Sequence, residues 1–260
     1  MSRDRAGNGI GVTLIDNDAD PGAAQTPSHP HEPSHQHRDV SGGWLRPTVF
    51  GAMDGLVTNV SLIAGVGGGG LDRQRIILTG LAGLVAGAFS MSTGEYTSVV
   101  SQNELVSAEV EMERRELTRN PEREKRELAE AFVDKGVDAT LARQVAEQVS
   151  RDPDEALRMH AQEELGVDPE ELPSPWVAAL SSFFAFSVGA VVPLVTFLAG
   201  VHQLWPSFVV SAVALFAAGA LVARLTDKRP WYGGLRQLAL ATLAAGVTYG
   251  VGRAIGASVT

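Results

Sequence analysis

Five stretches of this 260-residue sequence, 49–66, 76–91, 176–201, 208–222 and 238–251, are apolar and nearly free of charge. A helix needs about 20 predominantly apolar residues to cross a hydrocarbon core about 30 Å thick. Two of the stretches reach that length only with flanking small and polar residues. Inside hydrocarbon every backbone N–H and C=O must find a partner within the protein, and a helix supplies them all by itself. The sequence therefore predicts an all-α membrane protein with five transmembrane helices. Its mean hydropathy of +0.05 averages very apolar and very polar blocks and hides this organisation.

The polar block lies between the second and third apolar stretches. Residues 98–173 hold 20 of the 30 acidic residues and 10 of the 21 Lys and Arg, a net charge of −10 against +1 for the rest of the chain. The second transmembrane helix meets no breaker until Asn120-Pro121, so it is expected to run out of the membrane into this insert. Asn120 as N-cap and Pro121 at the first helical position start the next helix. Gly136 stops it, Asp138 opens another, and Asp152-Pro153 opens a last one that ends at Gly166. The chain thus divides into a tail (1–43), helices 1–2 (44–97), an insert of three to four amphipathic helices (98–173) and helices 3–5 (174–260).

Short loops orient the bundle. The linker 224–236 carries Arg224, Lys228, Arg229 and Arg236, whereas the turn 202–206 has no Lys or Arg. Positive loops stay cytoplasmic, which places that linker, the insert and the N-terminus inside. Arg73 and Arg75 in the first external turn oppose this weakly. The tail has no signal peptide, reads as disordered, and holds His29, His31, His35 and His37. Without an organelle-sorting signal, the plasma (cell) membrane is the expected location. Cysteine is absent, which excludes disulfides, thiolate metal sites and thiol redox chemistry. The glycine run 65–70 lacks the lysine of a phosphate loop, and no nucleophile–base set marks an enzyme. The acidic polar part argues against nucleic acid as a partner.

Carboxylates carry the candidate chemistry. Glu113 with Glu116, and Glu124 with Glu127, are spaced i,i+3 on helices that meet at the Asn120-Pro121 break. Glu111 and Glu122 each have an Arg four residues on, Arg115 and Arg126; none of those four glutamates does. Unpaired like charges at this spacing cost a few tenths of a kcal/mol per pair, which a divalent cation reverses. A solvated charged helix is the alternative. Met159, His160 and Glu164 follow, an imidazole and carboxylate set that suits first-row divalent metals, with a thioether that favours softer ones. A surface histidine is the alternative there.

Two membrane positions stand out. Asp54 lies within the first apolar stretch, where a carboxylate costs about 2.5–3.5 kcal/mol and so usually faces a pathway or a partner. A cap on a broken helix near the interface is the alternative. Met91 and Glu95 lie one turn apart at the insert end of the second helix, and Met91 alone reads as a packing residue. Gly83 and Gly87 form a GxxxG pair, for which packing within the chain is favoured over dimerisation.

Four stretches together resemble the vacuolar iron transporter family of divalent-metal/proton antiporters. They are Phe50-Gly-Ala-Met-Asp54-Gly-Leu-Val-Thr-Asn59, Ser90-Met91-Ser-Thr-Gly-Glu95-Tyr, the spaced glutamate pairs, and Phe186-Ser-Val-Gly-Ala-Val-Val-Pro193-Leu. With the five-helix layout they cover nearly everything from Trp44 onward. The resemblance implies a homodimer with a translocation path at the subunit interface, and Asp54 and Met91 as intramembrane ligands for Fe2+. It implies that the insert is a cytoplasmic metal-binding domain using Glu113, Glu116, Glu124, Glu127 and Glu164.

Two departures bear on this. His160 and Ala161 stand where plant-like members have two methionines, and the harder imidazole set suits Mn2+, Zn2+ or Co2+ as well. Pro47 stands where many members have an acid, so proton coupling would rest on Asp54 and Glu95. The expected function is export of Fe2+, and of Mn2+ with it, in exchange for protons, without a cofactor. The rival reading is a membrane-anchored metal sensor or protein-docking module without transport, for which Asp54 and Met91 would be replaceable.

Overall fold

The computed structural model describes residues 43–259. Among them are eight α-helices and no strand: α1 (Leu45–Gly68), α2 (Arg73–Arg119), α3 (Pro121–Asp134), α4 (Ala139–Val149), α5 (Pro153–His160), α6 (Pro175–Leu198), α7 (Leu204–Leu225) and α8 (Pro230–Val259). A π-helical turn, Ala161–Leu165, extends α5. Among the described residues, α1, α2, α6, α7 and α8 are long and apolar enough to cross a membrane. The four tail histidines lie outside the described residues.

Helix α2 has 47 residues. At 1.5 Å per residue it is about 70 Å long, more than twice the hydrocarbon thickness, so its second half must project beyond the bilayer. Asp72 opens it, accepting a hydrogen bond from the Arg75 N–H at 2.9 Å. The helix ends at the expected Asn120-Pro121 break, but Asn120 does not cap α3 with its side chain. Its amide instead donates backward to Glu116 Oε2 at 2.9 Å. The other breaks act through local chemistry. Gly136 takes φ +91°, and Gly166 takes φ +67°. Asp138 accepts from the Thr140 N–H, and Asp152 from the Asp154 N–H.

Helix α1 touches all four other long helices. Small residues let it approach them closely. A Cβ on Gly55 would run into the Phe186 carbonyl of α6, and one on Gly189 into the Ala52 carbonyl of α1. A Cβ on Gly252 of α8 would strike the Gly65 carbonyl. Gly83 and Gly87 serve the same purpose on α2, against Leu62 and the Phe186 ring, so this GxxxG pair packs within the chain. Gly189→Ala is expected to destabilise the bundle by about 1–3 kcal/mol, because a backbone carbonyl cannot move aside as a side chain can. Gly250→Ala, with nothing within 4 Å, is the control. Thermal unfolding in detergent should show the loss for the first variant only.

The insert has its own small core. Leu128, Ala129 and Ala146 are buried, with Phe132, Val149 and Met159 packed on them. The Asn103 side chain donates to the Pro173 carbonyl at 3.0 Å, which ties the insert's exit to the helix that begins it.

Candidate metal centre

Three elements of the insert converge on His160. It is the last residue of α5, buried to 1% exposure. Its Nδ1 lies 3.1 Å from Glu113 Oε1 on α2 and 3.4 Å from Glu164 Oε1 in the π-turn. One donor atom from each of Glu113, His160 and Glu164 lies within 4.8 Å of the others. The 3.1 and 3.4 Å separations from Nδ1 match those between neighbouring ligands of one cation with bonds of about 2.0–2.2 Å. The wider π-turn carries Glu164 back beside His160, and such turns recur at functional sites.

Hydrogen bonding here is incomplete. His160 Nε2 is buried with no hydrogen bond, and the buried Glu113 Oε1 and Glu124 Oε1 accept none either, being approached only by the charged or chargeable groups of His160 and Arg123. Cavities of about 250 and 110 Å³ open beside the ring; Glu127, Asp134 and Glu163 line the first, and Glu109 and Met112 the second. Glu163 itself is held by an ion pair with Lys135.

Glu124, Glu127 and Glu116 lie outside the three-residue group. Glu124 is nevertheless 1% exposed and faces inward. Arg123 Nε stands 3.3 Å from Glu124 Oε1 and 3.6 Å from Glu127 Oε2, so this pair is not without a cation. Counting only forward from each glutamate to i+4 misses a guanidinium that precedes Glu127 by four residues and Glu124 by one. Glu116 accepts from Asn120. Met159 also departs from expectation. One residue along α5 is about 100° around the helix, so when His160 faces α2, Met159 faces the apolar core and packs there.

The electrostatics follow from burial. Desolvation pushes the Glu113 carboxyl above the usual 4.5; the Glu164 charge adds to this, His160 opposes it, and Glu124 and Glu127 raise it further. Desolvation also raises Glu124, with Glu127 adding and Arg123 opposing. In metal-free protein the folded state therefore keeps protons that the unfolded chain releases above about 4.5. This contribution to stability is fully present below that value and is lost as pH rises through the raised folded values. Melting of the metal-free protein should fall over that interval, and less so in a Glu113→Gln/Glu124→Gln variant. A parallel pH profile for the two proteins would contradict the assignment.

In the membrane part, α1 runs unbroken through Asp54, about 14 Å from its start by helical rise, so Asp54 is not an interfacial cap. Its carboxylate is exposed on the single chain and accepts from Thr58 Oγ1 at 3.4 Å. Met91 is half-buried on the neighbouring α2, against Ala88, Phe186 and Ala190. Glu95 is half-buried one turn further on.

Asn59 is a residue that periodicity alone did not single out. It is 1% exposed, donates to the Ala190 carbonyl of α6, and leaves its Oδ1 buried without a partner. Its sequence signal is its place at the end of the motif 50–59.

Residues 45–253 match the VIT family. The vacuolar iron transporter of Acanthamoeba castellanii (strain ATCC 30010 / Neff) is 34% identical over 86% of this chain and 84% of its own length. Vacuolar iron transporter 1 of Oryza sativa subsp. japonica is 27% identical over 90% of the chain and 94% of its own length. Vacuolar iron transporter homolog 2 of Arabidopsis thaliana is 33% identical over 82% and 85%.

Proposed function

The chain belongs to the VIT family, and on that premise we propose that it carries Fe2+, and Mn2+ with it, across a membrane in exchange for protons. It is a multi-pass membrane protein. The observation that carries the proposal is the convergence of Glu113, Glu164 and a buried His160 on one group of donor atoms. Carboxylates crowded around a buried imidazole are relieved of their mutual repulsion by a divalent cation, and an imidazole with oxygen ligands suits first-row metals.

In this reading residues 98–173 form a metal-collecting domain, with Glu116, Glu124 and Glu127 supplying the field around the central group. The ion passes to Met91 and then to Asp54. Protonation of Asp54 from the far side releases it, and Glu95 relays protons at the insert end. The exposure of Asp54 on the single chain supports a path completed by a second subunit. We propose that the insert faces the cytoplasm. The relatives' names refer to a vacuole and lend nothing to the expected plasma membrane, so the proposal concerns the direction from the insert's side to the far side. No catalytic step and no resident cofactor are proposed. A sensor or docking module leaves a carboxylate in the middle of a spanning helix without a role, and no observation favours it.

Reconstitution tests the proposal. Fe2+ and Mn2+ are expected to enter proteoliposomes faster than protein-free vesicles, with Zn2+ and Co2+ measured alongside. Binding of metal without any entry would favour the sensor.

A further inference from the structure

We propose that the turn joining α7 to α8 is a binding site for the phosphate of an anionic membrane lipid. Because the long helices cross in alternation, this turn lies at the same end of the bundle as the insert. Its backbone is fixed. Asp227 takes φ +54°, and the Lys228 N–H donates to the Ala223 carbonyl at 2.7 Å, the pairing that closes a helix through a left-handed residue. Thr226 Oγ1 bonds the Val222 carbonyl at 3.0 Å and locks the same turn.

Beside the turn is a cavity of about 560 Å³, lined by Lys228, Arg229 and Arg236 together with Thr226, Trp231 and Tyr232. Among the described residues, none of Arg224, Lys228, Arg229 and Arg236 takes part in an ion pair. Asp227 is the only acid after Glu171 in the sequence. Three unpaired cations around one cavity call for an anion, and guanidinium groups match phosphate oxygens in pairs. Helix α8 begins at Pro230 beside them and adds the positive end of its dipole.

The surroundings point to a lipid rather than a soluble phosphate. Trp231 and Tyr232 are 54% and 58% exposed, with ring centroids 6.1 Å apart, as suits side chains at headgroup depth. Arg236 lies about 9 Å along α8 from Pro230 by helical rise, so its charge must reach back along the helix toward the headgroups. The cavity gives it a phosphate to meet there. At the opposite end the turn 199–203 has no Lys or Arg, and the two arginines at the start of α2 are already engaged, Arg73 donating to the Phe197 carbonyl at 2.7 Å and Arg75 pairing with Asp72.

The test uses the full-length protein in detergent and counts bound lipid by native mass spectrometry during titration. Phosphatidylglycerol is expected to bind saturably and about tenfold more tightly than phosphatidylcholine. A Lys228→Gln/Arg229→Gln/Arg236→Gln variant should lose that preference. Arg119→Gln/Arg143→Gln/Arg151→Gln, which removes as much charge from the insert, should keep it. Single Arg236→Gln, read on its own, should weaken the preference severalfold even if the triple variant does not fold. Inorganic phosphate at millimolar concentration should not displace the lipid. Unchanged preference in Arg236→Gln and the triple variant, equal binding of the two lipids, or displacement by inorganic phosphate would overturn the assignment.

Discussion

Asp54→Asn is expected to lower Fe2+ entry into proteoliposomes by about tenfold or more, to near the level of protein-free vesicles. Groups that merely orient a metal ligand are worth about 10–100-fold in affinity or activity, and a direct ligand should be worth no less. Asparagine keeps the size and the hydrogen bond from Thr58 while removing both the charge and the titratable proton. The position argues for function because α1 continues past Asp54 on both sides, and the helix's own backbone bonding does not use the carboxylate. A stability effect is separable, since loss of a mid-membrane charge should leave the protein as stable or more so. The insert should still bind metal in this variant. Retained flux would remove Asp54 from the path.

A Glu113→Gln/Glu164→Gln variant should bind Fe2+ and Mn2+ about 10–100-fold more weakly, read by calorimetric titration of the purified protein. Its metal-free form should melt at a higher temperature than the original at neutral pH, because the half-buried Glu113 carboxylate, disfavoured by desolvation and by the neighbouring Glu164 charge, is gone together with that charge. That opposite pair of changes separates a ligand role from simple damage to the insert. Equal metal affinity would place the binding site elsewhere, and a fall in melting temperature would mean that His160 is stabilised chiefly by its two carboxylate neighbours.

Local signals made much of the fold legible. Unbroken apolar runs marked the long helices, and Pro121, Gly136, Asp138, Pro153 and Gly166 marked the breaks, since each acts on its own backbone. Contacts made across helices were not legible. Met159 reads as a ligand but fills the core shared by α3, α4 and α5; Asn120, by contrast, is diverted from capping by a local partner, Glu116 one turn before it. Arg123 pairs with Glu124 and Glu127, which follow it by one and four residues, so a search for an Arg after each glutamate passes over it. The burial of His160 and Glu124 depends on how α3 and α5 pack around α2, which spacing along one helix does not encode. In the membrane, the tight α1–α6 approach at Gly55 and Gly189 could not be read without knowing which helices are neighbours.

Proton exchange for metal is the central claim, and simultaneous measurement of both fluxes tests it most directly. Proteoliposomes with an acidic interior and a pH-sensitive dye inside are exposed to Fe2+ with and without the gradient. Metal is expected to accumulate faster with the gradient, while the interior becomes less acidic in step with metal entry, and Asp54→Asn should abolish both signals. Metal entry at the same rate without the gradient, with no change in internal pH, would contradict the exchange.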